Sequence, residues 1–199
     1  MRSSLHHHCN FSDFSGSVRH LLRSATATDH AEVDSCFAMM IGRGLAGYTE
    51  FLQLSAAAIV PLEAALSEAN VERILPDWKN RSRGASLRAD LADLGLSVPS
   101  AARPPSLGGD ANQFGVLYVL EGSRLGAKVL IRLLASPGLQ TLFPLRYLRH
   151  GEGLPLWPTF VEQLESSAAV RRSPADAIAG AHTAFGWFAA HAATSRNHG

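Results

Sequence analysis

Leu117-Tyr118-Val119-Leu120-Glu121-Gly122-Ser123-Arg124-Leu125-Gly126-Ala127-Lys128 is the stretch on which the fold turns. Apolar residues recur at helical spacing on both sides of two glycines four positions apart, so the stretch reads as the middle of a long helix. A glycine inside a helix is about 1 kcal/mol less favourable than alanine. Two of them, one turn apart, therefore answer a need for close approach to the backbone. Either another helix packs tightly there, or a planar ligand lies against the helix. The pair also lets the helix bend. Tyr118 stands one turn before Gly122, as a buried aromatic or with its hydroxyl reaching a ligand carboxylate.

The same helical spacing runs through the rest of the chain. The glycine helix extends to about residue 135, ahead of Pro137-Gly138, and Asp110 is expected to cap its start. Val18, Leu21, Leu22, Ala25 and Val33 recur near a period of 3.6. Residues 45–69 are rich in alanine and leucine, with Pro61 expected to bend or restart the helix. Residues 86–94 form a short helix that Gly95 ends. Residues 99–109 hold three prolines and two glycines and read as a loop. Residues 141–155 read as irregular, and 157–169 and 174–193 as two further helices. No stretch alternates like a strand. Six or seven helices without a sheet give an all-α fold, one domain over 18–194 between a tail at 1–17 and another at 195–199.

The bulk numbers exclude several classes. The 199 residues suffice for one sizeable core. With 46% hydrophobic and 18% charged residues, the chain is globular rather than disordered. A net charge of +1 gives no global attraction for nucleic acid. Cys9 and Cys36 make no metal motif or disulfide framework, which fits a reducing compartment. The first 17 residues lack the apolar stretch of a secretory signal, and no run reaches the ~20 apolar residues of a membrane span. A cytoplasmic protein is expected. His6 to His8 are a floppy tail or a metal-binding tract.

A second segment, Leu22-Arg23-Ser24-Ala25-Thr26-Ala27-Thr28-Asp29-His30-Ala31-Glu32-Val33-Asp34, carries chemistry. On one helix, Arg23, His30 and Asp34 share a face. A carboxylate at i+4 can accept from the imidazole Nδ1, which leaves Nε2 free for a metal. Arg23 then lies about 10 Å back along the axis. Read alone, the same spacing equally describes a surface or capping pair.

Taken together, these residues resemble haem oxygenase. Leu22-Arg23 leading through Ala25-Thr26 to His30 resembles the family's proximal helix. Tyr118, Glu121, Gly122, Ser123 and Gly126 resemble its bacterial distal motif, Tyr-x-x-Glu-Gly-Ser-x-x-Gly. Ala181-His182-Thr183-Ala184-Phe185 resembles the C-terminal helix whose aromatic lies near the haem. The resemblance spans roughly residues 18–193, in the family's order. It implies a haem-oxygenase-like helical bundle with haem between a proximal and a distal helix. By position, His30 is the axial ligand to the haem iron and Asp34 its partner. Arg23 and Tyr118 bind propionates, Gly122, Ser123 and Gly126 line the distal side, and Phe185 packs on the ring. Ser123 stands where many members have aspartate, and Ala127 where many have a third glycine. The basic residues that animal members carry on the helix matching 157–169 have no counterpart here.

The resemblance also implies an activity. Haem b is both cofactor and substrate, and with dioxygen and external electrons it is cleaved at a meso carbon to biliverdin, carbon monoxide and ferrous iron. The sequence shows no nicotinamide or flavin motif, so a separate reductase or ferredoxin is the expected electron donor. The serine-type motif points to bacterial enzymes that serve iron release or a bacteriophytochrome as biliverdin acceptor. The alternatives are a haem carrier of the same fold without turnover, a thiaminase-like helical enzyme with Cys36 as nucleophile, and a helical interaction module.

Overall fold

In this computed structural model, residues 16–99, 106–134 and 143–196 are described. The tail histidines His6 to His8, Cys9 and Pro137-Gly138 lie outside them. The described residues form ten helices and no strand: α1 Val18–Ala25, α2 Ala27–Ile41, α3 Gly44–Glu68, α4 Trp78–Arg81, α5 Gly84–Asp93, α6 Asp110–Leu134, α7 Arg146–Arg149, α8 Leu156–Ser166, α9 Ala168–Arg172 and α10 Pro174–Arg196. A short 3-10 turn, Val71–Arg73, follows α3.

α3 is the central helix. Tyr48, Leu52, Ala56, Ala58, Ile59, Leu62 and Leu66 along it are fully buried. By length and composition it matches a membrane span, which no apolar run was expected to do, yet most of it is buried inside the protein. Pro61 neither ends nor restarts it. A helical proline leaves the carbonyl four residues back without its usual donor. Here that carbonyl is Ala57 O, and the Trp187 indole of α10 donates to it at 3.4 Å.

α6 and α10 cross in close contact. A Cβ on Gly115 would fall 1.9 Å from the Ala177 carbonyl oxygen, and one on Gly180 would fall 2.0 Å from Asn112 O. Only glycine at both positions lets the backbones meet this closely.

Several boundaries differ from the sequence reading. The first long helix is two helices, parted at Thr26 (φ −109°, ψ 15°), whose hydroxyl donates to Leu22 O at 2.8 Å. Arg23 and His30 therefore sit on different helices, and one shared helical face does not relate them. Asp110 is the first residue of α6, and its carboxylate binds the Arg73 guanidinium at 2.5 and 2.7 Å. Inside the supposedly irregular 141–155 lies α7, capped at its start by Asp90. That buried carboxylate accepts from Arg146 N at 3.1 Å and Tyr147 N at 2.9 Å. The helix expected at 157–169 splits at Ser167, which is extended (φ −66°, ψ 113°). α10 continues past 193 to Arg196. The start of α1 is tied to α8: Glu165 accepts from Ser17 Oγ at 2.6 Å, Val18 N at 2.9 Å and Arg19 N at 3.0 Å.

Candidate functional site

The C-terminal half of α6 leaves one face uncovered. Leu125, Val129 and Leu133, spaced four apart, are 45%, 54% and 58% exposed. Gly126 lies among them, and a Cβ there would meet nothing within 4 Å. At Gly122 it would touch the Trp157 ring at 3.7 Å, an ordinary contact. Neither glycine is a helix–helix notch; that task belongs to Gly115 and Gly180. An apolar helix face with its side-chain bulk removed is the kind of surface against which a flat apolar body can lie.

Behind this face is a buried polar cluster. Glu121 accepts from Arg81 at 2.9 Å and, through both oxygens, from Arg124 at 2.9 and 3.0 Å. Arg81 also donates to Leu156 O and to Thr159. Burial pushes the Arg124 guanidinium below its usual range, as does the charge of Arg83, while Glu121 opposes the shift. His150, beside Arg124, is held below the usual imidazole value by burial first and by Arg124 and Arg83 next.

Ser123 belongs to the inner side of this arrangement. Its hydroxyl donates to Leu120 O at 2.8 Å and accepts from Arg83 Nη2 at 2.8 Å. A hydroxyl has one hydrogen and two lone pairs, so in this rotamer Ser123 has only a lone pair left to offer. It can accept from a water but cannot donate to a ligand. Arg83 also donates to Leu120 O at 2.7 Å, and its guanidinium lies 5.1 Å from the Tyr147 ring centroid. Nothing in the local sequence pairs Arg83 with Ser123, 40 residues apart.

The histidine side is more exposed. His30 Nδ1 lies 3.4 Å from Asp34 Oδ2, and both side chains are 63% exposed. The i+4 geometry holds, at ion-pair distance rather than as a short hydrogen bond. Phe185 of α10, buried, meets the His30 ring edge-on with centroids 5.9 Å apart. Beside them, His182 of α10 bonds to Asp29 at 2.5 Å.

Tyr118 is half-buried and lies 5.9 Å from Trp157, centroid to centroid. Burial pushes its hydroxyl pKa up, and the nearby charges of Arg23 and Arg19 pull it down. Tyr118 of α6 therefore lies within the electrostatic field of Arg23, on α1. Arg19 joins them; one turn before Arg23, it was legible as a second base on the same helix. Trp157 was not legible as a neighbour of Gly122.

Among the described residues no three histidine, cysteine, aspartate or glutamate side chains gather as a metal site. A lone imidazole suits a metal that arrives already chelated, and the cations by Tyr118 suit its acidic substituents. A groove of about 690 Å³ lies along α2, lined by Ala27, Ala31, Cys36, Met39, Phe188 and Ala192 among others. None of the site residues lines it, although Val33 and Phe37, which do, stand three and seven residues beyond His30 on the same side of α2.

Known proteins agree with this architecture. No family model matches the chain. It is 35% identical over 144 residues to a heme oxygenase of Xanthomonas campestris pv. campestris, covering 71% of this chain and 86% of that one. It is also 35% identical over 132 residues to heme oxygenase PigA of Pseudomonas aeruginosa, covering 64% and 66%. The fold matches the NO- and CO-bound heme oxygenase of Neisseria meningitidis with a TM-score of 0.73, over 88% of this chain and 90% of that one. At 22% identity, that match speaks for the fold.

Proposed function

This chain belongs to the haem oxygenase family, and from that premise we propose that it binds haem between α2 and α6 and opens the ring at a meso carbon. The products are biliverdin, carbon monoxide and ferrous iron. The observation that carries the reading is the open, glycine-bearing apolar face of α6 in a chain that shares 35% identity over 86% of the length of a heme oxygenase.

The residues divide the work. His30 would hold the haem iron through its ring nitrogen, with Asp34 at 3.4 Å orienting its ring. Phe185 limits the swing of that ring from the α10 side. Arg23 and Tyr118 take a propionate, and Arg19 is the second base within their field. Gly122 and Gly126 keep side-chain bulk off the distal face, so the backbone sets how closely oxygen-side groups approach. Ser123, its hydrogen committed to Leu120 O, accepts from an ordered water and so orients that water's own hydrogens. Arg83 fixes the Ser123 rotamer. Haem, when bound, would supply the redox-active iron and the meso carbon for the oxidation. Regiochemistry follows from how Arg23, Arg19 and Tyr118 seat the ring. Electrons come from a separate reductase or ferredoxin, and a bacteriophytochrome is the acceptor that the serine-type motif suggests for the product.

The test is His30→Ala in protein supplied with haem, a reductant and air. The variant is expected to lose the histidine-ligated haem spectrum and at least about nine-tenths of biliverdin formation, no less than the roughly tenfold cost of removing a mere hydrogen-bond partner of a metal ligand. An unchanged spectrum and yield would overturn the assignment. A wild-type protein that holds haem and oxygen stably without making biliverdin would be a carrier.

A further inference from the structure

The turn of α2 that carries His30 has little apolar anchoring. Ala27, Thr28, His30, Ala31, Asp34 and Ser35 are exposed, and Cys36 is the first buried side chain of the helix. Thr26 provides no side-chain cap. Val33, half-buried, packs against the core one turn on, and α10 reaches the turn itself through His182 and Phe185. His182 Nδ1 meets Asp29 Oδ2 at 2.5 Å, and Phe185 meets the edge of the His30 ring. An ionised carboxylate only accepts, so Nδ1 carries the proton and donates.

We infer that His182 is a positioning residue for the iron ligand: its bond to Asp29, with Phe185 against His30, stops the first turns of α2 from rolling about their axis. The inference rests on the reading of His30 as the haem ligand. His182 and Phe185 are three residues apart and share a face of α10. Asp29 and His30 are consecutive, so they leave α2 about 100° apart. Holding one helix by two side chains that point in different directions fixes its rotation. The ring-edge contact alone lets His30 slide, because it lacks the directionality of a charge-assisted hydrogen bond. The His30–Asp34 pair does not help, since it lies within α2 and turns with it. The His182–Asp29 pair is partly exposed, with side chains 47% and 35% accessible. It therefore contributes modestly to folding, and its effect falls on ligand alignment.

The experiment compares the haem-loaded full chain as wild type, His182→Ala and His182→Gln, reading the iron–histidine stretching band of the ferrous form, haem affinity and the melting temperature. The His182→Ala protein is expected to keep its melting temperature within about 2 °C, to bind haem about threefold more weakly, as for an exposed charged pair, and to show a shifted or broadened band. The His182→Gln protein, whose amide can donate to Asp29, is expected to restore the band. An unchanged band in His182→Ala overturns the inference, as does a change that glutamine does not restore. If the wild type lacks the band, the haem-ligand reading falls and takes the inference with it. A normal wild-type band with an indifferent His182→Ala removes the positioning role alone.

Discussion

Gly115 and Gly126 stand about three turns apart on α6, each among apolar residues, and their surroundings are opposite. A Cβ on Gly115 would overlap the Ala177 carbonyl of α10 at 1.9 Å, whereas one on Gly126 would meet nothing within 4 Å. At Gly115 the missing side chain lets two helices touch, and the packing gained offsets the poor helix propensity. At Gly126 no contact among the described residues offsets it. An unfavourable residue kept at an open apolar face is what a site for a flat ligand requires, at the expense of stability.

The comparison can be broken most forcefully at Gly115. Gly115→Ala must push α10 away from α6, and we expect a destabilisation of about 3 kcal/mol, a fall in melting temperature of roughly 6–12 °C. A melting temperature within 2 °C of wild type would show that the crossing is not tight. Gly126→Leu is expected to leave folding nearly untouched while blocking turnover or moving the cleavage site, read as total biliverdin and its isomer ratio. The same product at the same rate would remove Gly126 from the site. The milder Gly126→Ala is expected to raise stability by about 1 kcal/mol, or roughly 2–4 °C. A loss of stability there would mean that Gly126 serves the fold as Gly115 does.

An effect of the same small size is expected where Glu165 holds the start of α1, the helix bearing Arg19 and Arg23. Burial pushes the Glu165 carboxyl up, but Ser17, the Arg19 and Val18 amides and the Arg171 charge outweigh it, so its pKa lies below the usual 4.5. A carboxylate with a lowered folded pKa stabilises above its unfolded pKa, and the contribution is lost as pH falls through the folded value. Glu165→Gln is expected to lose about 1 kcal/mol at pH 7, as for a helix cap, and to narrow its deficit against wild type as pH drops below about 4.5. Melting curves between pH 3 and 7 check this; a deficit independent of pH would mean that the carboxylate's charge plays no part.

Part of the site was legible because it is local. His30 and Asp34 are one turn apart on one helix, and Gly122 and Gly126 are likewise, so helical period alone relates them. The helix inventory was legible for the same reason. The reading failed where a distant partner settles a local ambiguity. Thr26 is not a residue that must break a helix, and no period shows that α1 ends there. Pro61 was expected to bend or restart its helix, and α3 runs through it unbroken; the compensating donor, Trp187, lies 126 residues further on in the sequence. The start of α7 depends on Asp90, 56 residues upstream of Arg146. The hydrogen bonding of Ser123 was invisible because Arg83, which answers it, lies 40 residues back between α4 and α5.

By itself the sequence determined an all-α chain, a histidine with an acid one turn on, and a long helix with two glycines one turn apart. Those follow from spacing along a single helix, which the chain carries with it. Tertiary structure decided which glycines pack and which stay open, that Ser123 turns its hydrogen inward, and that His182 reaches Asp29. At Gly115, Ser123 and Asp29 the deciding partners are Ala177, Arg83 and His182, all far along the chain, and packing alone brings such atoms within hydrogen-bonding or van der Waals range.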